Sequence, residues 1–238
     1  SEAEKIREAL ETNLRLLEEL IKRLKEILDT HNELLRRVIE TLERLLKELL
    51  ELLEEGGLDE EVLREVKRLV DELRKEARRV LDEHEKLVRK IKKEAEDVAR
   101  ESEEIIKEVE DKLKGLDREE LLERVRRVLK KSDDLIAELV RRALKILEEL
   151  TRLLAELLKK VVEILRRIVE LVERVLTKKG APKEDRDHMV LHEYVNAAGI
   201  TRLLEKLARD SAELMRELER ILDRYARESE ELDRRLAE

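Results

Sequence analysis

Apolar residues recur three and four positions apart along most of the chain, beginning with Ile6, Leu10, Leu17, Leu20, Leu24 and Ile27, while Glu, Lys and Arg fill the positions between. Side chains with this spacing share one face of an α-helix, whereas strand residues would alternate with a period of two. The pattern predicts helices with an apolar stripe and a solvated face.

Three short breaks divide the pattern. Gly56-Gly57-Leu58-Asp59 and Lys114-Gly115-Leu116-Asp117 share one grammar, a glycine ending a helix and an aspartate capping the next. Lys179-Gly180-Ala181-Pro182 places glycine at a helix end and proline in the first turn of the next, where its missing N–H costs nothing. The predicted helices are residues 2–54, 59–114, 118–178 and 182–237, each about 80 to 90 Å long at a rise of about 1.5 Å per residue. Short connections force neighbours antiparallel. The expected fold class is all-α: a single-chain antiparallel up-down-up-down four-helix bundle of long, straight helices, forming one domain over 1–238.

Within the predicted seams a few polar residues interrupt the apolar run. The first helix continues through Asn13, His31, Leu34, Val38, Thr41 and Leu45; the second runs through Val62, Val66, His84, Leu87, Val98, Ser102 and Ile105. Equal antiparallel helices bring these exceptions to common heights. Asn13 falls level with Ser102, Ser132, Ser229 and Tyr225; His31 with His84, Thr151 and Ser211; and Thr41 with Thr201. Buried polar groups cost free energy unless they find partners, so such layers serve to fix register and pairing.

Composition narrows the function. The 238 residues are 49% charged and 1% aromatic, with no Cys, Phe or Trp, a balance suited to long helices with a Leu, Ile and Val core. The net charge of −8 is spread over interleaved acids and bases, which disfavours nucleic acid and anionic membranes as partners. No apolar run is long enough for a membrane span, and SEAEKIREAL has no signal-like apolar core. No acid–base pair, nucleophile arrangement or phosphate loop stands out. His31 and His84 lack the companions at ligand spacing that zinc requires. The reading is a non-enzymatic monomer that needs no cofactor and no metal.

One stretch departs from its surroundings. Arg186, Asp187, His188, Met189, Val190, Leu191, His192, Glu193, Tyr194, Val195, Asn196, Ala197, Ala198, Gly199, Ile200 and Thr201 bring two His, an Asn, a Gly, a Met and a Tyr into sixteen positions. These sixteen residues resemble, residue for residue, the eleventh β-strand of green fluorescent proteins in their self-complementing split form. The rest of the chain resembles, in style, designed bundles with hydrogen-bond layers and latch-and-cage switches of the LOCKR kind. The resemblance implies a synthetic origin, cytoplasmic location on heterologous expression, and a partner: the ten-strand fragment that the strand completes. It also implies that Met189, Leu191, Glu193, Val195 and Ala197 face the barrel interior, with Glu193 near the chromophore. A helical key peptide that displaces the fourth helix is a further expected partner.

Read as a helix, the same stretch continues the fourth seam. Val190, Tyr194, Ala197 and Thr201 lead at 3-4 spacing into Leu204, Ala208, Ser211, Met215, Leu218, Leu222 and Tyr225. His188, Met189, His192, Asn196 and Gly199 then point away from the core. The competing reading is a tag between helices, with the fourth helix beginning near Arg202, which would leave the apolar residues between Leu153 and Val175 uncovered. A chain that hides the strand in a helix is expected to act as a caged switch; one that carries it as a tag is a static scaffold.

Overall fold

The computed structural model of the chain describes residues 2–112, 115 and 117–238, and for 188–197 the backbone alone. The fold is all-α, with four helices and no strand among the described residues. Helix α1 spans Glu2–Glu55, α2 Glu60–Asp111, α3 Arg118–Lys178 and α4 Lys183–Ala237. Their lengths are 54, 52, 61 and 55 residues, well beyond the three or four turns of an average helix. None is apolar enough over its described residues to cross a membrane. The second helix ends at Asp111; its expected end at Lys114 lies outside the described residues, as does Leu116 of the following loop.

Local chemistry sets the helix ends. Gly57 and Gly180 adopt φ of 69° and 68°, the left-handed region that favours glycine. At Gly180 the N–H bonds to the Thr177 carbonyl at 3.2 Å while that of Ala181 reaches Leu176 at 3.0 Å, so a paired C-terminal cap satisfies carbonyls that α3 leaves open. The Asp117 carboxylate accepts the Glu120 N–H at 2.9 Å and caps α3. Pro182 stands just before α4, its carbonyl accepting the N–H groups of Asp185 and Arg186.

Contacts divide the chain into two compact units, each taking part of every helix. Unit 1 comprises residues 1–30, 86–147 and 212–238. It contains two apolar clusters, one around Leu17, Leu24, Ile91, Ile136 and Leu218, the other around Ile6, Leu10, Ile106, Val125 and Leu232. Unit 2 comprises residues 31–85 and 148–211. Its core includes Leu35, Leu42, Leu73, Val161, Ile168 and Leu204. Each such side chain contributes about 1.5 to 3 kcal/mol by leaving water.

Ion pairs join successive helices at the surface. In unit 2, Arg36 meets Glu85, Arg78 meets Glu43 at 2.8 Å, Lys67 meets Glu54 at 3.2 Å and Lys160 meets Glu72 at 3.3 Å. In unit 1, Lys92 meets Asp29 at 2.9 Å, Arg142 meets Glu94 at 3.0 Å and Arg126 meets Asp233 at 3.5 Å, while Arg23 of α1 reaches Glu217 of α4. Exposed pairs add little stability, about 0 to 1 kcal/mol each, but they penalise wrong neighbours.

The α1 stripe corrects the expected seam. Beyond His31, the fully buried positions are Leu35, Ile39, Leu42, Leu46, Leu49 and Leu53, while Leu34, Val38 and Leu45 are only partly buried. The spacing opens to two successive steps of four after His31. A strict 3-4 alternation averages 3.5 residues per turn, and a straight helix of 3.6 drifts about 20° per heptad away from it, so the core face moves on by one residue. Thr41 consequently leaves the core: it is half-buried, and its hydroxyl donates to the Arg37 carbonyl of its own helix at 2.8 Å.

Candidate functional site

The unusual stretch lies within α4, which begins at Lys183 and runs on without interruption. Helical backbone therefore extends upstream of Arg202, where the tag reading expected it to begin. At the start of the stretch, Arg186 Nη1 donates to Thr177 Oγ1 at 3.3 Å, and Thr177 donates to the Glu173 carbonyl at 2.8 Å. Asp187 and Ala198 are exposed and Gly199 is half-buried. The side chains of His188, Met189, Val190, Leu191, His192, Glu193, Tyr194, Val195, Asn196 and Ala197 lie outside the described residues, so the faces expected for them belong to the sequence reading alone. At the other end Ile200 is the enclosed residue, 2% exposed, and joins the unit 2 core with Leu204 and Leu207. Thr201, expected in the core, is half-buried; the apolar neighbour takes the inward position.

Gly199 has no left-handed φ to require glycine, and a methyl group built on it meets nothing within 4 Å. Gly199→Ala is therefore expected to stabilise the folded chain by about 1 kcal/mol, the helix-propensity difference, seen as a higher urea midpoint at unchanged slope.

Downstream, two polar networks tether α4. The first, in unit 2, joins three helices. His31 Nδ1 of α1 lies 3.1 Å from His84 Nε2 of α2, and His31 Nε2 lies 2.6 Å from Ser211 Oγ of α4. The rings meet edge to face, their centroids 4.9 Å apart. Ser211 also bonds to the Leu207 carbonyl at 2.8 Å. A carbonyl can only accept, so the single hydroxyl hydrogen points at Leu207 and His31 Nε2–H must donate to Ser211. His31 Nδ1 then bears no hydrogen and accepts from His84 Nε2–H. The result is a one-directional chain from α2 through α1 to the α4 backbone, with both imidazoles neutral. Burial, followed by the neighbouring His84, lowers His31 to about 3; burial lowers His84 to about 4 against a small opposing pull from Glu85. Thr151, expected in this layer, is exposed. Its position on α3 falls between Leu150 and Leu154, which take the inward positions.

Unit 1 holds the second network. Asn13 Nδ2 donates to the Tyr225 hydroxyl at 3.3 Å, and the Tyr225 hydroxyl in turn bonds the Asp133 carboxylate. Ser229 Oγ lies 2.9 and 2.7 Å from the two Asp133 oxygens. Burial raises Asp133 above the usual carboxylate range, opposed by these two hydroxyl donors, and burial with the adjacent Asp133 charge raises Tyr225. Asp133 escaped the sequence reading because an acid next to Ser132 looks like a surface residue; its half-buried position depends on the α3–α4 contact. Ser102 and Ser132 are buried as expected, but neither hydroxyl finds a partner, nor does Asn13 Oδ1.

Those orphan hydroxyls have a measurable consequence. Ser102→Ala and Ser132→Ala are each expected to raise unfolding free energy by about 1 kcal/mol, because a buried donor without an acceptor costs more than a methyl group in its place. Chemical denaturation of each variant checks this.

No protein-family model, curated protein or solved structure matches this chain. The site therefore has to be read from its own geometry. Ser211, His31 and His84 have the order of a nucleophile, a base and an orienting group, yet all three side chains are buried to within 1% and the serine hydrogen is committed to Leu207. A reacting group would need access to both the hydroxyl and the imidazole. Among the described residues no three His, Cys, Asp or Glu side chains gather as a metal-holding group. What the two networks do is tie α4 to the other helices.

Proposed function

We propose that this chain is a designed, single-chain antiparallel four-helix bundle that cages the eleventh strand of green fluorescent protein within its fourth helix. The observation that carries the reading is the position of residues 186–201 inside α4, with Ile200, Leu204 and Leu207 buried at their C-terminal end. A strand needs side chains alternating to two faces and main-chain groups free to pair with neighbouring strands; a helix uses those groups internally and groups residues three and four apart. The two conformations exclude each other, so complementation requires α4 to open at least in part.

An up-down-up-down arrangement is supported by contacts within the units. Along the α1–α2 pairs residue numbers rise on one helix as they fall on the other, as in Arg36–Glu85, Arg78–Glu43 and Lys67–Glu54. Ion pairs also link α2 to α3, α3 to α4 and α4 back to α1. The activity is non-enzymatic. Its partner is the ten-strand fragment, and a helix resembling residues 204–236 acts as a key by replacing α4.

If closure is favoured by about 4 kcal/mol, roughly one chain in a thousand is competent, and apparent affinity falls by the same factor. Mixing the full chain with the ten-strand fragment, with and without a peptide of residues 204–236, tests this. Fluorescence should develop slowly alone and at least about tenfold faster with the peptide. Equal, fast signals would mean that the strand is a constitutive tag on a static scaffold.

A further inference from the structure

We propose that His31, His84 and Ser211 form an acid-sensitive lock on the fourth helix: proton uptake by the two histidines breaks the hydrogen-bond chain holding Ser211 and releases α4 there. Where this frees residues 186–201 for complementation it rests on the reading above, but the lock itself does not.

The geometry leaves no room for two added protons. Each ring nitrogen in the chain already has one role, with His84 Nε2–H facing the bare His31 Nδ1 across 3.1 Å and His31 Nε2–H facing Ser211 across 2.6 Å. One proton on His31 Nδ1 could be met only if His84 moved its own hydrogen away from Nε2. With both rings charged, two N–H donors would face each other inside a sealed layer. Ser211 is the side chain through which α4 joins His31, so when His31 turns away to separate the facing donors α4 loses this cross-helix bond.

Among the described residues the surroundings do not supply a compensating anion. On α1 Glu33 is exposed; on α2 Glu85 is half-buried and pairs with Arg36; on α3 Glu148 and Arg152 are exposed; on α4 Asp210 is half-buried. Of these only Glu85 acts appreciably on either ring, and burial outweighs it.

The pH window follows from linkage. Both folded values, about 3 and about 4, lie below the ordinary 6.5, so between 6.5 and about 4 the open state binds more protons than the closed one. Stability from the neutral pair is complete above 6.5 and is lost as pH falls. Each ring shifts the balance about tenfold per pH unit, so two rings favour opening by up to about a thousand-fold near pH 5. Most carboxylates remain ionised there. Asp133, raised by burial, acts in the opposite sense: the folded state holds its proton more tightly, so at that site acidification favours the folded state.

The test is amide exchange of the full chain from pH 7.5 to pH 5, corrected for intrinsic exchange rates, without any fluorescent-protein fragment. Two variants accompany it: His31→Leu with His84→Leu and Ser211→Ala, which fills the layer with apolar groups, and His31→Asn with His84→Gln, which keeps polar atoms that do not titrate. In the unsubstituted chain, protection over residues 200–211 should fall at least about thirty-fold and approach a thousand-fold, while residues 157–168 of α3 lose less than a third of that. At least one folded variant should lose this pH response. A smaller fall, an equal fall in α3, or the same response in both variants would overturn the proposal. Because no barrel fragment is present, failure here leaves the caging reading standing, and failure of complementation leaves the lock standing.

Discussion

Replacing Leu204 and Leu207 together by alanine is expected to raise the population of chains with an opened fourth helix by about a thousand-fold. Both leucines are nearly inaccessible, 3% and 1% exposed, and both belong to the unit 2 core. A buried Leu→Ala change costs about 2 to 5 kcal/mol, through lost transfer energy and the cavity left behind. Neighbouring changes need not add, but even about 4 kcal/mol for the pair corresponds to about a thousand-fold. Amide exchange over residues 200–211 should accelerate by that factor, with residues 17–28 of unit 1 changing less than about tenfold. Mixed with the ten-strand fragment, the variant should develop fluorescence without a key peptide. Equal acceleration in both regions would mean that α4 leaves only when the whole chain unfolds.

Replacing His31 alone by alanine is expected to cost about 3 to 5 kcal/mol, seen as a lower urea midpoint at unchanged slope. The substitution strands two partners at once: His84 Nε2–H loses its acceptor, and Ser211 loses the donor facing it at 2.6 Å. It also empties an imidazole-sized volume at a fully buried position. Ser211→Ala should cost less, about 2 kcal/mol: it removes the bonds to His31 and to the Leu207 carbonyl, but it strands only one buried N–H and fills most of its own space. If the two variants proved equally stable, the imidazole pair would not be the centre of the network.

Much of the site was legible as a set of exceptions to the apolar pattern. Asn13, His31, His84, Ser102, Ser132, Ser211, Tyr225 and Ser229 were named from their seam positions, and all are buried. Their partners were less legible. Thr41 and Thr151 are polar residues expected in two of the layers, but Thr41 is half-buried and Thr151 exposed. A shift of one residue turns a helical side chain by about 100°, which is enough to take a threonine from core to surface. Asp133 shows the reverse error. Its charge suggests water, yet Ser229 and Tyr225 both donate to it, and two hydroxyl donors are what allow a carboxylate to sit half-buried.

The sequence by itself determined the four helices, their ends to within one residue except at the C-terminus of α2, and the abrupt change of composition at residues 186–201. These depend on interactions within a few residues: the 3.6-residue period, glycine at a left-handed φ, and an aspartate carboxylate reaching an N–H three residues on. Only the tertiary structure decided that the α1 stripe passes to Leu35 and Ile39 beyond His31, that Ile200 rather than Thr201 turns inward, and that His84, His31 and Ser211 form one directed chain ending at the Leu207 carbonyl. Helical phase accumulates over many turns, and a hydrogen bond between helices fails if its atoms are displaced by a fraction of an ångström to an ångström. Both are settled where the helices pack.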